Sequence, residues 1–183
     1  MSRLNDLTMK SYRALFYDEL EEYESAIQEL TQHLKKNPTD GIAYNNRGLA
    51  YSEIGRGEEA LVDLEKAMAL SPLDPIPYMN RGAPYERRQP VGQFEEAITD
   101  FSKAIAIDSM DASFHRSKAY ACLKIDRLQE AIDSFANAIR LDPEFRQTYI
   151  DRGETYRKLG DQLKAEQDLL AASKLPPNPN RRK

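Results

Sequence analysis

The sequence predicts an all-α solenoid of stacked helix pairs, and three observations carry that prediction. A pattern of small and large residues recurs five times along the 183-residue chain. Within each copy the apolar positions fall three, four and seven apart, which places them on one face of a helix. Most copies end at a proline, and an aspartate then stands where the next helix would begin.

The copies align on Ala26, Ala60, Ala97, Ala131 and Ala165, spaced by 34, 37, 34 and 34 residues. Upstream of these lies a column of large residues, Tyr17, Tyr51, Tyr85, Cys122 and Tyr156. Three residues before that column stand Ala14, Gly48, Gly82, Ala119 and Gly153. Four residues after each alanine comes Leu30, Leu64, Phe101, Phe135 or Leu169, and seven after comes His33, Ala67, Ala104, Ala138 or Ala172. The first set defines one helix and the second set another, joined by a short turn near Gly55 or Gly160. Small residues let the two helices approach and large ones fill the space between them. Pro38, Pro72, Pro143 and Pro177 stop the second helix, since proline cannot continue it; Ser109 stands in their place in the third copy. Asp40, Asp74 and Asp111 sit where an N-cap is wanted.

This pattern resembles the tetratricopeptide repeat family, over about residues 7–177. The repeats run roughly 7–40, 41–74, 75–111, 112–145 and 146–179, in one domain spanning 1–183 with a short basic tail, Arg181-Arg182-Lys183. The resemblance implies a right-handed superhelix of five helix pairs, stacked because no pair buries its apolar face alone. It also implies a concave groove lined by the first helix of each repeat. Asn45, Asn46, Leu49, Asn80, Arg116 and Tyr120 are the residues expected to line it. Asparagine carries both donor and acceptor, so it can read a peptide backbone without regard to side chains. Asn46 and Asn80 share the slot that in many family members holds a backbone-reading asparagine. The cation set with which one subclass clamps a chaperone carboxylate is missing: only single asparagines match it, so that reading is rejected.

A charged column runs beside the apolar ones. The seventh position reads Arg13, Arg47, Arg81, Lys118 and Arg152, and the twenty-third reads Glu29, Asp63, Asp100, Ser134 and Asp168. The repeat with lysine in place of arginine has also lost its acid. Pairing between helices explains this better than anion capture, each pair contributing roughly 0–1 kcal/mol if exposed.

The third repeat departs from the rule. Its first helix carries Pro84, and three extra residues fall within Glu86–Val91, before Gly92. An internal proline removes a hydrogen bond and crowds the carbonyl four residues back, that of Asn80, so a kink is expected there.

Other chemistry is sparse. A net charge of −4 argues against a nucleic-acid partner. A single cysteine, Cys122, excludes an internal disulfide and occupies a core slot. His33 and His115 have no metal-ligand spacing, the second replacing a tyrosine. No apolar run approaches a membrane span and no leader pattern is present, so a cytoplasmic, soluble chain is expected. The expectation is therefore a non-enzymatic scaffold with a protein or peptide partner, no cofactor and no metal. Its alternative is an assembly adaptor acting through its ends or convex face, with a weak homodimer through the C-terminal helix, where Leu163, Leu170 and Leu175 are expected to stay partly exposed.

Replacing Pro84 by alanine should raise the melting temperature by restoring a helix-compatible residue. Partner affinity that is unchanged in that variant would remove any binding role for the kink.

Overall fold

The computed structural model describes residues 20–82 and 93–177. Pro84 with the kink expected there, and the Gln89–Val91 insertion, lie outside the described residues, as does the first helix of the first repeat. Every described element is an α-helix, and the helices fall into two compact units divided between Pro84 and Tyr85. The first holds α1 (Leu20–Lys36), α2 (Gly41–Glu53), α3 (Gly57–Leu70) and α4 (Ile76–Gly82). The second holds α5 (Gln93–Ile107), α6 (Ala112–Lys124), α7 (Leu128–Leu141), α8 (Arg146–Leu159) and α9 (Gln162–Ser173). Within each unit a helix packs chiefly on its neighbours in the chain, and α2 also touches α4. The core is therefore a row of local contacts, the architecture of an all-α repeat solenoid.

The boundaries follow from a few side chains. Asp40 and Asp111 cap α2 and α6 by accepting from the Ala43 and Ser113 amides at 3.0 and 2.7 Å. Asp74 accepts from the Ile76 amide at 3.0 Å. Asp161 caps α9 in the same way, through the Lys164 amide at 3.1 Å. At the other ends, Ser71 and Asp142 are forced out of the helical region by the prolines that follow them, with φ/ψ of −137/71° and −135/78°. The third repeat has no such proline, yet α5 still stops at Ile107. There Asp108 accepts from the Met110 amide at 2.9 Å, a side-chain turn that competes with further helix.

Between the paired helices the chain reverses through a left-handed residue. Gly55 (φ +81°) and Gly160 (φ +88°) fill this position without strain, whereas the fourth repeat uses Asp126 at φ 60°. A short polar side chain tolerates that conformation better than a bulky one.

The aligned columns of small and large residues are the core. Ala60, Leu64, Ala67, Ala97, Phe101, Ala104, Ala131, Phe135 and Ala138 are at most 2% exposed. Phe114 and Cys122 join them from α6. Full burial of each phenylalanine contributes roughly 1.5–3 kcal/mol. The helices close tightly where a side chain is missing: a Cβ on Gly48 would stand 2.9 Å from Leu64 Cγ and 3.2 Å from the Ala60 carbonyl oxygen. At Gly153 the nearest atoms would be 3.2–3.4 Å away.

These distances separate two otherwise identical substitutions. Alanine gains about 1 kcal/mol over glycine in helix propensity, but overpacking costs about 1–3 kcal/mol. Gly48→Ala, which meets a fully buried leucine, should lose about 1 kcal/mol in denaturant unfolding. Gly153→Ala, with a few tenths of an ångström more room, should stay within about 0.5 kcal/mol of the parent.

Candidate functional site

The six candidate residues fall into two groups, one in each unit. In the first unit α2 supplies Asn45, Asn46 and Leu49, and α4 supplies Asn80. Their side-chain amides form a ladder. Asn80 Nδ2 donates to Asn45 Oδ1 at 2.9 Å, and Asn45 Nδ2 donates to Asn46 Oδ1 at 3.2 Å. All three are buried, Asn46 to 2% exposure. Burial of a primary amide is costly unless its hydrogen bonds are made, and the ladder makes them while tying α4 to α2. Leu49 is half-buried one turn beyond Asn45. Ile42 and Ile76, at the second position of their repeats, remain 45% and 41% exposed. Exposed aliphatic side chains thus stand on helices whose buried amides are fixed in place.

In the second unit α6 supplies Arg116 and Tyr120. Arg116 reaches the α7–α8 connection, where Nη1 donates to Asp142 Oδ2 at 3.3 Å and the guanidinium lies 4.2 Å from the Phe145 ring centroid. Tyr120 packs edge-on against Phe135 at 5.5 Å, and its hydroxyl donates to Asp151 Oδ2 on α8. Gln147 Nε2 donates to the other oxygen of Asp151 at 2.8 Å. Asp151 therefore organises this group, a role the sequence pattern did not assign. One signal was available: it occupies the slot that holds Asn46 and Asn80 in other repeats, so an acid had replaced an amide. Asp142 and Phe145 left no comparable signal, because they lie in an inter-repeat connection.

The charged column is resolved as helix-pairing. Arg47 Nε and Nη2 donate to Asp63 Oδ2 and Oδ1 at 2.6 and 2.8 Å, and Arg152 grips Asp168 in the same fork at 2.8 and 2.7 Å. Arg47 also donates to Thr31 Oγ1 on α1 at 3.0 Å. The Asp63 and Asp168 side chains are only 5% and 8% exposed. The hydrogen bonds to Asp63 and Asp168 raise the already high pKa of each arginine, against the opposing effect of burial. These pairs are thus less exposed than the sequence-based estimate assumed, and more costly to break.

Among the described residues no group of three His, Cys, Asp or Glu side chains could hold a metal ion. Cys122 is fully buried and burial pushes its thiol upward, away from the thiolate a nucleophile needs. His33 Nε2 lies 2.7 Å from Asp40 Oδ2, so the ring braces the N-cap of α2. None of the described helices is long and apolar enough to cross a membrane.

Comparison with known proteins agrees with this geometry. Two tetratricopeptide repeat models match the chain, one over residues 13–75 and 91–144 and the other over 147–179. The unmatched stretch between the first two segments carries Pro84 and Gln89-Pro90. No curated protein sequence matches. Among solved structures, the chain is similar to MamA 41-end from Desulfovibrio magneticus RS-1, with a TM-score of 0.79 and 19% identity over 96% of each chain. A crystal structure of MamA gives a TM-score of 0.76 and 21% identity, covering 84% of this chain and 88% of that one. At such identities the likeness concerns the fold.

Removing one partner of a buried pair strands the other. Asp63→Ala should destabilise the first unit by about 2–4 kcal/mol, somewhat below a fully buried case because Arg47 keeps some access to water. Arg56→Ala, which breaks the exposed pair with Glu59, should leave the denaturation curve unchanged.

Proposed function

The chain belongs to the tetratricopeptide repeat family, and we propose that this protein-interaction scaffold acts without catalysis, as a single domain of five repeats that binds a peptide segment or partner helix along the faces of its first helices. The observation that carries this reading is in the first unit. Two large aliphatic residues, Ile42 and Ile76, stay exposed at equivalent positions of adjacent helices, beside amides already fixed in one orientation. Exposed apolar side chains next to immobilised polar groups are what a peptide groove needs: the first supply affinity, the second fix direction. Asn45 and Asn46 are the foundation of that ladder. Leu49 is half-buried beside them, and Asn80 closes the ladder from α4. In the second unit Arg116 and Tyr120 present a polar surface whose orientation is set by Asp142 and Asp151.

The alternative has its own observation. Leu163 and Leu170 on α9 are 68% and 59% exposed, one heptad apart and so on one helix face. That face suits an adaptor that joins a second copy through the C-terminal helix.

One set of variants separates the two. Asn46→Ala confounds binding with folding because Asn46 is buried, so the exposed positions make better probes. Ile42→Asp/Ile76→Asp should abolish retention of bound proteins in affinity capture at unchanged helicity. Leu163→Asp/Leu170→Asp should leave it intact and keep the protein monomeric in light scattering. The opposite pattern, with capture or a dimer lost only in the leucine variant, would transfer the function to α9.

A further inference from the structure

Two departures from the repeat pattern meet in the second unit. Ser109 stands where Pro38, Pro72, Pro143 and Pro177 close the other repeats, and His115 stands where Tyr44, Tyr78 and Tyr149 occupy the fourth position. The two residues meet electrostatically: the backbone of Ser109, across the connection from α5 to α6, acts on the His115 ring and favours its charged form. The side chain is buried at 8% exposure, and its Nε2 has no hydrogen-bond partner.

We propose that His115 makes the joint between α5 and α6 acid-sensitive, so that this joint loosens within the second unit when the ring gains a proton. A neutral imidazole fits the site, because it can bury a bare Nε2. A protonated ring would bury an N–H at Nε2 with no acceptor, and a buried unpaired donor is costly. The neighbouring charges add to this. Arg140 from α7 and Lys118 from α6 itself are both cationic and oppose a further positive charge. On the α5 side the ring meets the Ser109 backbone, and the acid that favours protonation is Asp111, whose carboxylate is already held by the Ser113 amide at 2.7 Å. Burial is the largest influence and lowers the His115 pKa, the two cations lower it further, and Ser109 and Asp111 only partly offset them.

The sign follows from linkage. The unfolded chain takes up a proton near the ordinary histidine value of about 6.5, while the folded chain resists until a lower pH. The stability due to neutral His115 is thus complete above that value and falls as pH drops through it toward the folded value. A tyrosine at this position, as in the other repeats, has no such dependence.

The test is an NMR pH titration of the two histidines in the full chain, with hydrogen exchange of residues 112–118 corrected for intrinsic rates. The expected result is a His115 midpoint below about 6.5, with protection at the start of α6 decreasing over the same range. His115→Tyr should remove the loss of protection that sets in as pH falls through about 6.5. The wild-type titration needs no variant, so a poorly folded substitution does not block the test. A His115 midpoint at or above the ordinary value overturns the proposal, as does an unchanged loss of protection in a folded His115→Tyr protein.

Discussion

Everything in this molecule depends on how closely the two helices of a repeat can approach. At Gly48 the backbone of α2 comes so near α3 that a single methyl would collide with Leu64. Close approach excludes water from the interface and brings Ala60, Leu64 and Ala67 into continuous contact with the helix opposite. It also means that each repeat contributes only a thin apolar layer, completed by the next repeat. A solenoid of this kind has no central core to carry it, so its stability is a sum over local joints. A fault at one joint is felt there first.

The polar groups set between the helices give those joints a defined geometry. The Arg47–Asp63 and Arg152–Asp168 forks each engage two nitrogens and two oxygens, an arrangement that fixes helix register more tightly than apolar contact can. The asparagine ladder does the same between α2 and α4. A buried ion pair adds little net stability over a well-packed apolar pair, but losing one partner is severe. The same side chains that align the helices also determine which faces stay available. Asn45 holds Asn80 and is itself held by Asn46, while Ile42 and Ile76 are left at the surface. Structural and candidate binding roles are therefore divided among neighbouring positions of one helix.

The second unit shows how one scaffold accommodates local change. Where the pattern loses its proline, Asp108 terminates α5 by a side-chain turn. Where it loses a glycine, Asp126 takes the left-handed position. Where it loses a tyrosine, His115 fills the position with its ring buried. The repeated contacts on either side hold the architecture in place, so a single joint can differ in chemistry without altering the fold.

The sequence by itself determined the repeat register, the caps at Asp40 and Asp111 and the Arg47–Asp63 and Arg152–Asp168 pairs. All of these are set by contacts between residues a fixed distance apart in the chain, and a 34-residue period makes such distances visible. It also marked the slots from which a groove would be built. The tertiary structure decided what each slot does. Asn45, Asn46 and Asn80 become one hydrogen-bonded ladder because α4 lies against α2. Tyr120 and Gln147 converge on Asp151, and Arg116 is drawn to Asp142 and Phe145. Each depends on the side-chain direction and on neighbours contributed by another repeat, and the period gives the slot of a residue but not the partner its atoms reach.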